Sequence, residues 1–352
     1  MSHIAAIQKN LGALDALILT DPISIRYASG FTVEDGAAVI GKRNAWLITD
    51  SRYVEAAKKV VSDMIVLCVS RQKPPSALLR QIVVETGSLV GAEENRMSQA
   101  AWQALGASLN VTLKPAGDIL SALRASKDDG EVVLLTAAQR IAEKALDEVL
   151  GIIKPGMTEK QVAAELVYRM YKYGGEANAF DPIVVTGANT SMPHGTPGQT
   201  VIRKGDFVTM DFGTKFGGYC SDMTRTVAVG KPSDKMREIY AVVLEAQLAG
   251  IAMAKPGVPG KEIDAAARRI IDRAGYGEYF GHGFGHSLGL EIHENPGASA
   301  SNDQPMPEGA VISAEPGIYI PGLFGVRIED VLWLRDGGAH IITRAPKELI
   351  IL

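Results

Sequence analysis

Three of the six histidines of the chain, His282, His286 and His293, fall within one short stretch, GHGFGHSLGLEIHENP, at residues 281–296. Imidazole is a common metal ligand and also a general acid or base near neutral pH. The stretch is either a polar turn without a catalytic role or the border of a metal site. Acidic residues elsewhere in the chain decide between the two.

Four acids occur at duplicated positions. The segments GDFVTMD and GAVISAE each place an acid six residues after a glycine, at Asp211 and Glu315. Each segment predicts a strand that continues into a return strand with a further acid, Asp222 or Glu329. Their apolar neighbours predict buried strands, in which an ionised carboxylate costs several kcal/mol unless a partner compensates it.

The sequence near these acids offers Arg327 as a partner, which cannot neutralise all four of them. One such acid alone would be interpreted as an edge or salt-bridge residue. Four of them predict a pair of divalent cations instead. Carboxylate-rich ligation with one imidazole favours Mn²⁺, Co²⁺ or Fe²⁺, and without a thiolate nothing in the set calls for zinc.

Two hairpins must position these acids. If Gly217-Gly218 is a two-residue turn, Asp211 faces Thr224, and Asp222 lies diagonally across at about 7–8 Å. The second hairpin turns around residues 321–325. Arg327 precedes Glu329 by two residues, which predicts that both side chains point to the same face.

The hairpins belong to a duplicated unit. Lys-Pro-Gly occurs at Lys154 and again at Lys255, each time after one predicted helix and before another. The lysine precedes Asp211 by 57 residues in the first half and precedes Glu315 by 60 in the second. These matched separations predict an internal repeat of helices followed by a hairpin.

The first repeat opens with an amphipathic helix that starts near Glu131, and Thr158 and Gln161 predict a capping box for the next helix. The apolar positions of the first helix recur at spacings of three and four: Val132, Leu135, Ala138, Ala142, Ala145 and Val149. Upstream, short apolar runs alternate with helical stretches, which is typical of a small α/β domain. The sequence therefore predicts an α/β (α+β) protein with domains at residues 1–125 and 126–352.

Composition excludes several classes of protein. The net charge of −4 gives no electrostatic footprint for nucleic acid or an anionic membrane, and no apolar run approaches the length of a membrane span. Two cysteines, Cys68 and Cys220, are too few for a disulfide framework, so the protein is expected in the cytoplasm. Both thiols are expected to be buried as small hydrophobic groups. His3 and His340 lie outside every motif and are expected at the surface.

Six motifs together resemble the "pita-bread" metallopeptidases, the family of methionine aminopeptidase, aminopeptidase P and prolidase. They are MDFG with Asp211, SDMTRT with Asp222, GHSLGLEIHE with His286 and His293, AEPGIYI with Glu315, RIED with Glu329, and SMPHGTP with His194. YASGF and LITDSRYVEAA are similar to the creatinase-like N-terminal domain of the Xaa-Pro branch of that family. The resemblance covers essentially the whole chain.

The resemblance implies a role for each residue. The metal ligands would be Asp211, Asp222, His286, Glu315 and Glu329, with Asp222 and Glu329 bridging two ions. Outside the metal ligands, His194 and His293 would serve catalysis, with His293 stabilising the tetrahedral intermediate and Glu315 carrying the proton to the leaving nitrogen. His282, Tyr319 and Arg327 would contact substrate, the first two in a proline pocket. For each histidine outside the ligand set, a purely structural role is the alternative.

By the same resemblance, the chain is expected to be a hydrolase that cleaves Xaa-Pro peptide bonds with two divalent ions, Mn²⁺ or Co²⁺ before Zn²⁺ or Fe²⁺. Its partners would be small peptides with proline in the second position and a second copy of the chain. The alternatives are a creatinase-type amidine hydrolase and a non-catalytic binding module, both of which have lost the ligand set. The loop at residues 297–309 lacks the arginine with which dipeptide-specific prolidases bind the substrate carboxylate, so peptide length stays open.

Overall fold

The computed structural model describes residues 2–352, which form two compact units divided after Arg124. The sequence predicts this boundary one residue later. Among the described residues, no helix is long and apolar enough to cross a membrane.

The first unit alternates short helices with short strands. Its helices are α1 (Ile4–Lys9), α2 (Pro22–Ser29), α3 (Val54–Val60), α4 (Pro75–Thr86), α5 (Gln99–Leu109) and α6 (Gly117–Ala125). Its strands are β1 (Ala16–Leu19), β2 (Ala37–Gly41), β3 (Ala45–Thr49), β4 (Ile65–Cys68), β5 (Val90–Ala92) and β6 (Lys114–Pro115). Five of the strands coincide with the predicted apolar runs, and β1, β2, β3 and β5 are buried throughout, as such runs are within a sheet, whereas β4 is partly exposed.

These strands form one mixed sheet in the order β4-β3-β2-β1-β5-β6. The side chains of α4, including Leu79 and Ile82, pack on Ile18, Val39 and Trp46 of the sheet to form the core of the unit. His3 is not at the surface as predicted, since it is buried with its ring stacked on Tyr27 at 4.0 Å. The prediction for Cys68 is also wrong, because this thiol is exposed, whereas Cys220 is buried.

The second unit consists of two helix pairs and several small sheets. Its helices are α7 (Asp129–Leu150), α8 (Glu159–Lys172), α9 (Asp234–Met253) and α10 (Gly260–Arg273). Its first strands are β7 (Ala177–Asn178), β8 (Ile183–Thr186), β9 (Phe207–Phe212), β10 (Thr214–Phe216), β11 (Tyr219–Cys220) and β12 (Met223–Ala228). Those that follow are β13 (Gly285–Ser287), β14 (Glu294–Ala298), β15 (Val311–Ala314), β16 (Gly317–Ile320), β17 (Phe324–Arg327), β18 (Asp330–Arg335) and β19 (Gly338–Ile341).

The helix starts follow from local sequence. Asp128 caps α7 and pairs with Glu131 in a capping box, and Thr158 and Gln161 form the predicted capping box of α8. In each box a side-chain oxygen satisfies a backbone N–H that has no partner in the first helical turn. The predicted apolar positions of α7 are all buried, so the amphipathic pattern correctly predicts its inner face.

The internal repeat is confirmed in backbone detail. The second helices of the two halves, α8 and α10, each have 14 residues. The glycine of each Lys-Pro-Gly has positive φ, and its N–H donates to an equivalent carbonyl: Gly156 to Ile202 over 3.0 Å, and Gly257 to Met306 over 2.8 Å. Each half has its own core, in which its helices pack on β8, β9 and β12 in the first half and on β15 to β18 in the second. Two similar layers thus place their sheets around the predicted acids.

Candidate metal centre

The predicted acids and histidines meet at one cavity of about 720 Å³ within the second unit. The cavity is lined by His194, Asp211, Asp222, His282, His286, His293, Glu315, Arg327 and Glu329. Tyr319 is not among the lining residues, although the family resemblance implies that it contacts substrate. It lies buried behind the wall, bonded to two residues that line the cavity.

The first hairpin has the predicted register. Asp211 pairs with Thr224 across β9 and β12, and Phe216 pairs with Tyr219 next to the turn. Gly217 and Gly218 both have positive φ, at 57° and 82°. This left-handed pair is what a two-residue hairpin turn requires, and only glycine adopts it without strain. The turn therefore sets the residue that faces Asp211.

The prediction that all four acids lie in strands is wrong for three of them. Asp211 lies in β9, but Glu315 follows the end of β15, and Glu329 lies between β17 and β18. Pro316 has no N–H for the ladder, which is consistent with β15 ending before it. Asp222 likewise lies between β11 and β12. Residues outside a ladder are not confined to alternate faces, so acids from several segments can converge.

Thr224 links the two halves of the site. Its hydroxyl donates to Glu329 Oε2 over 2.7 Å and accepts from Arg327 Nε over 3.0 Å. Arg327 Nη2 lies 2.5 Å from Asp211 Oδ2. Within residues 2–352, neither Asp211 Oδ1 nor Glu329 Oε1 has a hydrogen-bond partner, although both are buried. A buried carboxylate oxygen without a partner is costly unless a cation occupies the space next to it.

His286 presents a lone pair to these acids. Its Nδ1 lies 3.2 Å from the Ser287 carbonyl, which can only accept, so Nδ1 carries a proton and Nε2 is the nitrogen left to bind a cation. Nε2 lies 3.5 Å from Asp222 Oδ2 and 3.3 Å from Glu315 Oε1. When Nε2 is unprotonated, these carboxylate oxygens repel its lone pair, and a shared cation would make the arrangement attractive. This orientation of the ring, fixed by a carbonyl, is typical of metal-binding histidine.

The pKa shifts of the buried acids also indicate a cation site. Burial, followed by the charges of neighbouring carboxylates, raises the pKa values of Asp222 and Glu329 well above the usual range. Burial also raises the pKa of Asp211, but Arg327 opposes that shift. One ligand atom each of Asp222, His286 and Glu329 lies within 4.8 Å of the other two. Oxygen-rich donors with excess negative charge at this spacing fit divalent cations.

A second group of side chains forms one wall of the cavity. Arg327 Nη1 donates to the Tyr319 hydroxyl over 2.8 Å, and that hydroxyl lies 3.0 Å from His282 Nε2. His282 Nδ1 lies 2.9 Å from the Gly283 carbonyl, so Nδ1 carries the proton and Nε2 accepts from the hydroxyl. Burial lowers the pKa of His282 and raises that of Tyr319 to about 12, which keeps both groups neutral near pH 7.

His293 and His194 are exposed at the cavity. The His293 ring lies 4.3 Å from that of His286, and burial by its surroundings lowers its pKa. Two nearby glycines differ in what they allow. A Cβ at Gly285 would lie 2.0 Å from the Ser313 carbonyl, so this glycine permits strand approach rather than approach to an ion. A Cβ at Gly281 would meet open space.

Several contributors to the site lack a sequence signal. The Ser313 hydroxyl accepts the His286 N–H and donates to Glu315 Oε1, each over 3.0 Å, and Gln139 of α7 accepts the Asp222 N–H over 3.3 Å. The cavity also has an apolar part, which includes Phe180, Ile183, Pro193, Pro197 and Ile292. Ile183 pairs with Asp211 across β8 and β9, so the register of these two strands indicates that Ile183 lies beside the site.

Two family models and several known proteins match the chain over most of its length. Residues 133–336 match the model of metallopeptidase family M24, and residues 3–126 match the Creatinase/Prolidase N-terminal domain. The chain is 36% identical to the Xaa-Pro dipeptidase of Pyrococcus furiosus, over 96% of each chain. It also resembles two solved structures. One is an Xaa-Pro dipeptidase from Bacillus anthracis, with 41% identity, a TM-score of 0.94 and 99% of each chain covered. The other is an X-Pro aminopeptidase from Thermotoga maritima, with 37% identity, a TM-score of 0.93, and 98% of this chain and 99% of the other covered.

These matches confirm the predicted fold, a creatinase-like N-terminal domain followed by a pita-bread domain. They also confirm the family resemblance, because the identity extends over almost the full length of the chain. The protein belongs to metallopeptidase family M24.

Proposed function

We propose that the chain is a metal-dependent hydrolase that cleaves Xaa-Pro peptide bonds. One observation carries the proposal: the four acids predicted at duplicated positions and His286 line one cavity, where Arg327 is the only Lys or Arg among the described lining residues. The names of its relatives from Pyrococcus furiosus and Bacillus anthracis, both Xaa-Pro dipeptidases, support this bond as the substrate. The intact ligand set does not favour a creatinase-type hydrolase or a binding module.

The proposed ligands of two divalent ions are Asp211, Asp222, His286, Glu315 and Glu329, with Asp222 and Glu329 shared between the ions. The unpaired oxygens of Asp211 and Glu329 and the lone pair of His286 Nε2 support this assignment. As a working proposal the ions are Mn²⁺ or Co²⁺, which suit the carboxylate-rich set without a thiolate better than Zn²⁺ does. Bound divalent ions would supply an activated water and polarise a carbonyl oxygen.

The other residues would bind substrate and move protons. Glu315 would carry a proton to the leaving proline nitrogen, and its place in the cavity lining and the hydrogen bond from the Ser313 hydroxyl to its Oε1 support this role. His293 and His194 would hydrogen-bond the scissile amide and the developing oxyanion. His282 and Arg327, with Tyr319 behind them, would form the wall against which the proline ring packs. Neutral His282 suits contact with an apolar ring, because it brings no unpaired charge to it.

Two measurements test the proposal together. Elemental analysis of the purified protein after dialysis should find divalent metal, and the same preparation should hydrolyse an Xaa-Pro dipeptide. A chelator should abolish the hydrolysis, and added Mn²⁺ or Co²⁺ should restore it. Metal-free protein with full activity would contradict the proposal. A homodimer and a cytoplasmic location stay predictions, for which light scattering and cell fractionation are the measurements.

Peptide length gives a prediction of its own. A cation that binds a free substrate carboxylate contributes about 1.5–3 kcal/mol, or roughly tenfold to a hundredfold in preference for dipeptides. Residues 297–309 contain no Lys or Arg, and Arg327 is already paired with Asp211. We therefore expect kcat/KM for an Xaa-Pro-Yaa tripeptide to be at least comparable with that for the matching Xaa-Pro dipeptide. Steady-state kinetics on one matched pair decides this, and a dipeptide preference above about a hundredfold would contradict it.

Removal of metal should change how stability depends on pH. The pKa values of Asp222 and Glu329 are raised in the folded metal-free protein, so folding binds protons there as the pH falls towards the usual carboxyl range. We expect the Tm of chelated protein to rise relative to that of chelated Asp222→Asn as the pH is lowered from the alkaline range towards the usual carboxyl range, because the raised folded-state pKa lets folding bind a proton there. Differential scanning fluorimetry measures both. If the curves of Tm against pH stay parallel for the two chelated proteins, ionised Asp222 does not destabilise the metal-free fold.

A further inference from the structure

Lys127 and Glu294 form a buried ion pair to which the reaction proposed above assigns no role, although Glu294, unlike Lys127, is among the residues that line the cavity. Lys127 Nζ lies 3.1 Å from Glu294 Oε2, and the two side chains are only 1% and 4% exposed. Solvent screens charges poorly at this depth, so loss of one partner leaves the other charge uncompensated. The position of the chain segment that contains Glu294 therefore depends on Lys127.

Lys127 is anchored to the segment that precedes β15. Its N–H donates to the Gly309 carbonyl over 2.8 Å, and the Ser126 hydroxyl donates to the Glu308 carbonyl over 2.6 Å. Gly309 has a φ of +83°, and a Cβ there would lie 2.5 Å from the Ser126 oxygen, so glycine permits this approach. The next residue, Asp128, caps α7. The lysine thus extends from a backbone that is fixed on both sides.

Glu294 organises the loop that ends at His293. Its Oε1 accepts the Glu291 N–H over 3.1 Å, and the residue pairs with Ser287 between β13 and β14. The carboxylate lies against Gly289, where a Cβ would be 2.8 Å from Oε1. The side chain of Glu294 therefore holds residues 288–293 in a closed loop. His293 is its immediate neighbour in the chain, so displacement of the carboxylate displaces that imidazole.

We propose that Lys127 is a positioning residue: its charge holds the Glu294 carboxylate in the loop, and the carboxylate holds His293 at the cavity. The contacts described for Lys127 within residues 2–352 include none of the proposed metal ligands. It acts on turnover and leaves metal binding unchanged. The kinetic part of this proposal rests on the proposed peptidase function, whereas the structural part does not.

Lys127→Met removes the charge and retains most of the aliphatic stem. Small displacements of a catalytic group cost up to about a hundredfold in rate. We expect kcat for an Xaa-Pro dipeptide to fall by about tenfold to a hundredfold, with KM and bound metal within about twofold of wild type. The matched control is Lys261→Met, whose partner Asp303 lies at the surface, and it should leave kcat unchanged.

Rescue distinguishes charge pairing from general packing. Glu294→Gln alone leaves the buried ammonium unpaired and should also lower kcat. The double variant Lys127→Met/Glu294→Gln has no buried charge, and the glutamine Oε1 can still accept the Glu291 N–H. We expect its kcat to exceed that of Lys127→Met by about tenfold, because neutral replacement of a buried pair is often tolerated. If Lys127→Met does not fold, kcat of the double variant within about tenfold of wild type supports the proposal.

A readout independent of activity completes the test. Hydrogen–deuterium exchange should be faster in residues 288–293 of Lys127→Met than in wild type, and near wild type in the double variant. If wild-type protein does not cleave Xaa-Pro peptides, the proposed function fails, and this exchange difference alone decides the role of Lys127. Unchanged exchange, loss of metal in parallel with turnover, or a double variant no better than Lys127→Met would each overturn the proposal.

Discussion

Asp222→Asn and Glu329→Gln should each lower kcat/KM for Xaa-Pro substrates by at least about a thousandfold while the fold is retained. Metal ions in hydrolases contribute several kcal/mol to the stabilisation of the transition state, and about 4 kcal/mol corresponds to a thousandfold in rate. As the proposed shared ligands, both carboxylates would serve both ions. Loss of either charge should therefore disturb the whole centre.

Retention of the fold is expected because each amide replaces a buried carboxylate of almost the same shape. The pKa values of both acids are raised well above normal without metal, so their ionised forms are not what stabilises the metal-free fold. Metal content, circular dichroism and steady-state kinetics are measured together. The controls Asp303→Asn and Glu238→Gln alter exposed acids in surface ion pairs and should be neutral. Near-normal turnover with two metal ions still bound would refute the site.

His194→Ala and His293→Ala are expected to retain bound metal and to lose about a hundredfold to ten-thousandfold in kcat, the usual range for a positioned acid, base or hydrogen-bond donor. Both imidazoles line the cavity and are exposed at it. Burial lowers the pKa of His293, so this ring is neutral near pH 7 and can donate one hydrogen bond while accepting another.

The measurement for these histidine variants is metal stoichiometry beside kcat. His340→Ala is the control, since this imidazole is exposed and lies outside the cavity lining. Stoichiometric loss of metal in His194→Ala or His293→Ala would show that His286 is not the only imidazole ligand. Unchanged kcat would instead favour the structural alternative, in which the histidine does not touch substrate.

The order of elements and the internal repeat were predictable from sequence because they depend on local signals. The capping box at Thr158 and Gln161 starts α8, and the glycine pair at Gly217 and Gly218 sets the register that places Thr224 opposite Asp211. Each signal acts over a few residues, so interactions within that short segment determine its conformation. The four acids were predicted from their local segments, whereas the family resemblance selected His286 among the three histidines of residues 281–296.

Tertiary structure alone decided how these elements meet. Thr224 bonds Glu329 across 105 residues, and the Arg327 guanidinium reaches Asp211 across 116. Glu315 and Glu329 lie outside the strands predicted for them, and nothing in the sequence near Lys127 indicates its partner Glu294. Periodicity and turn residues specify conformations over a few residues. Pairing between distant segments depends instead on the packing of whole layers. Only the folded chain removes these charged groups from water, and each buried group then depends on the partner beside it.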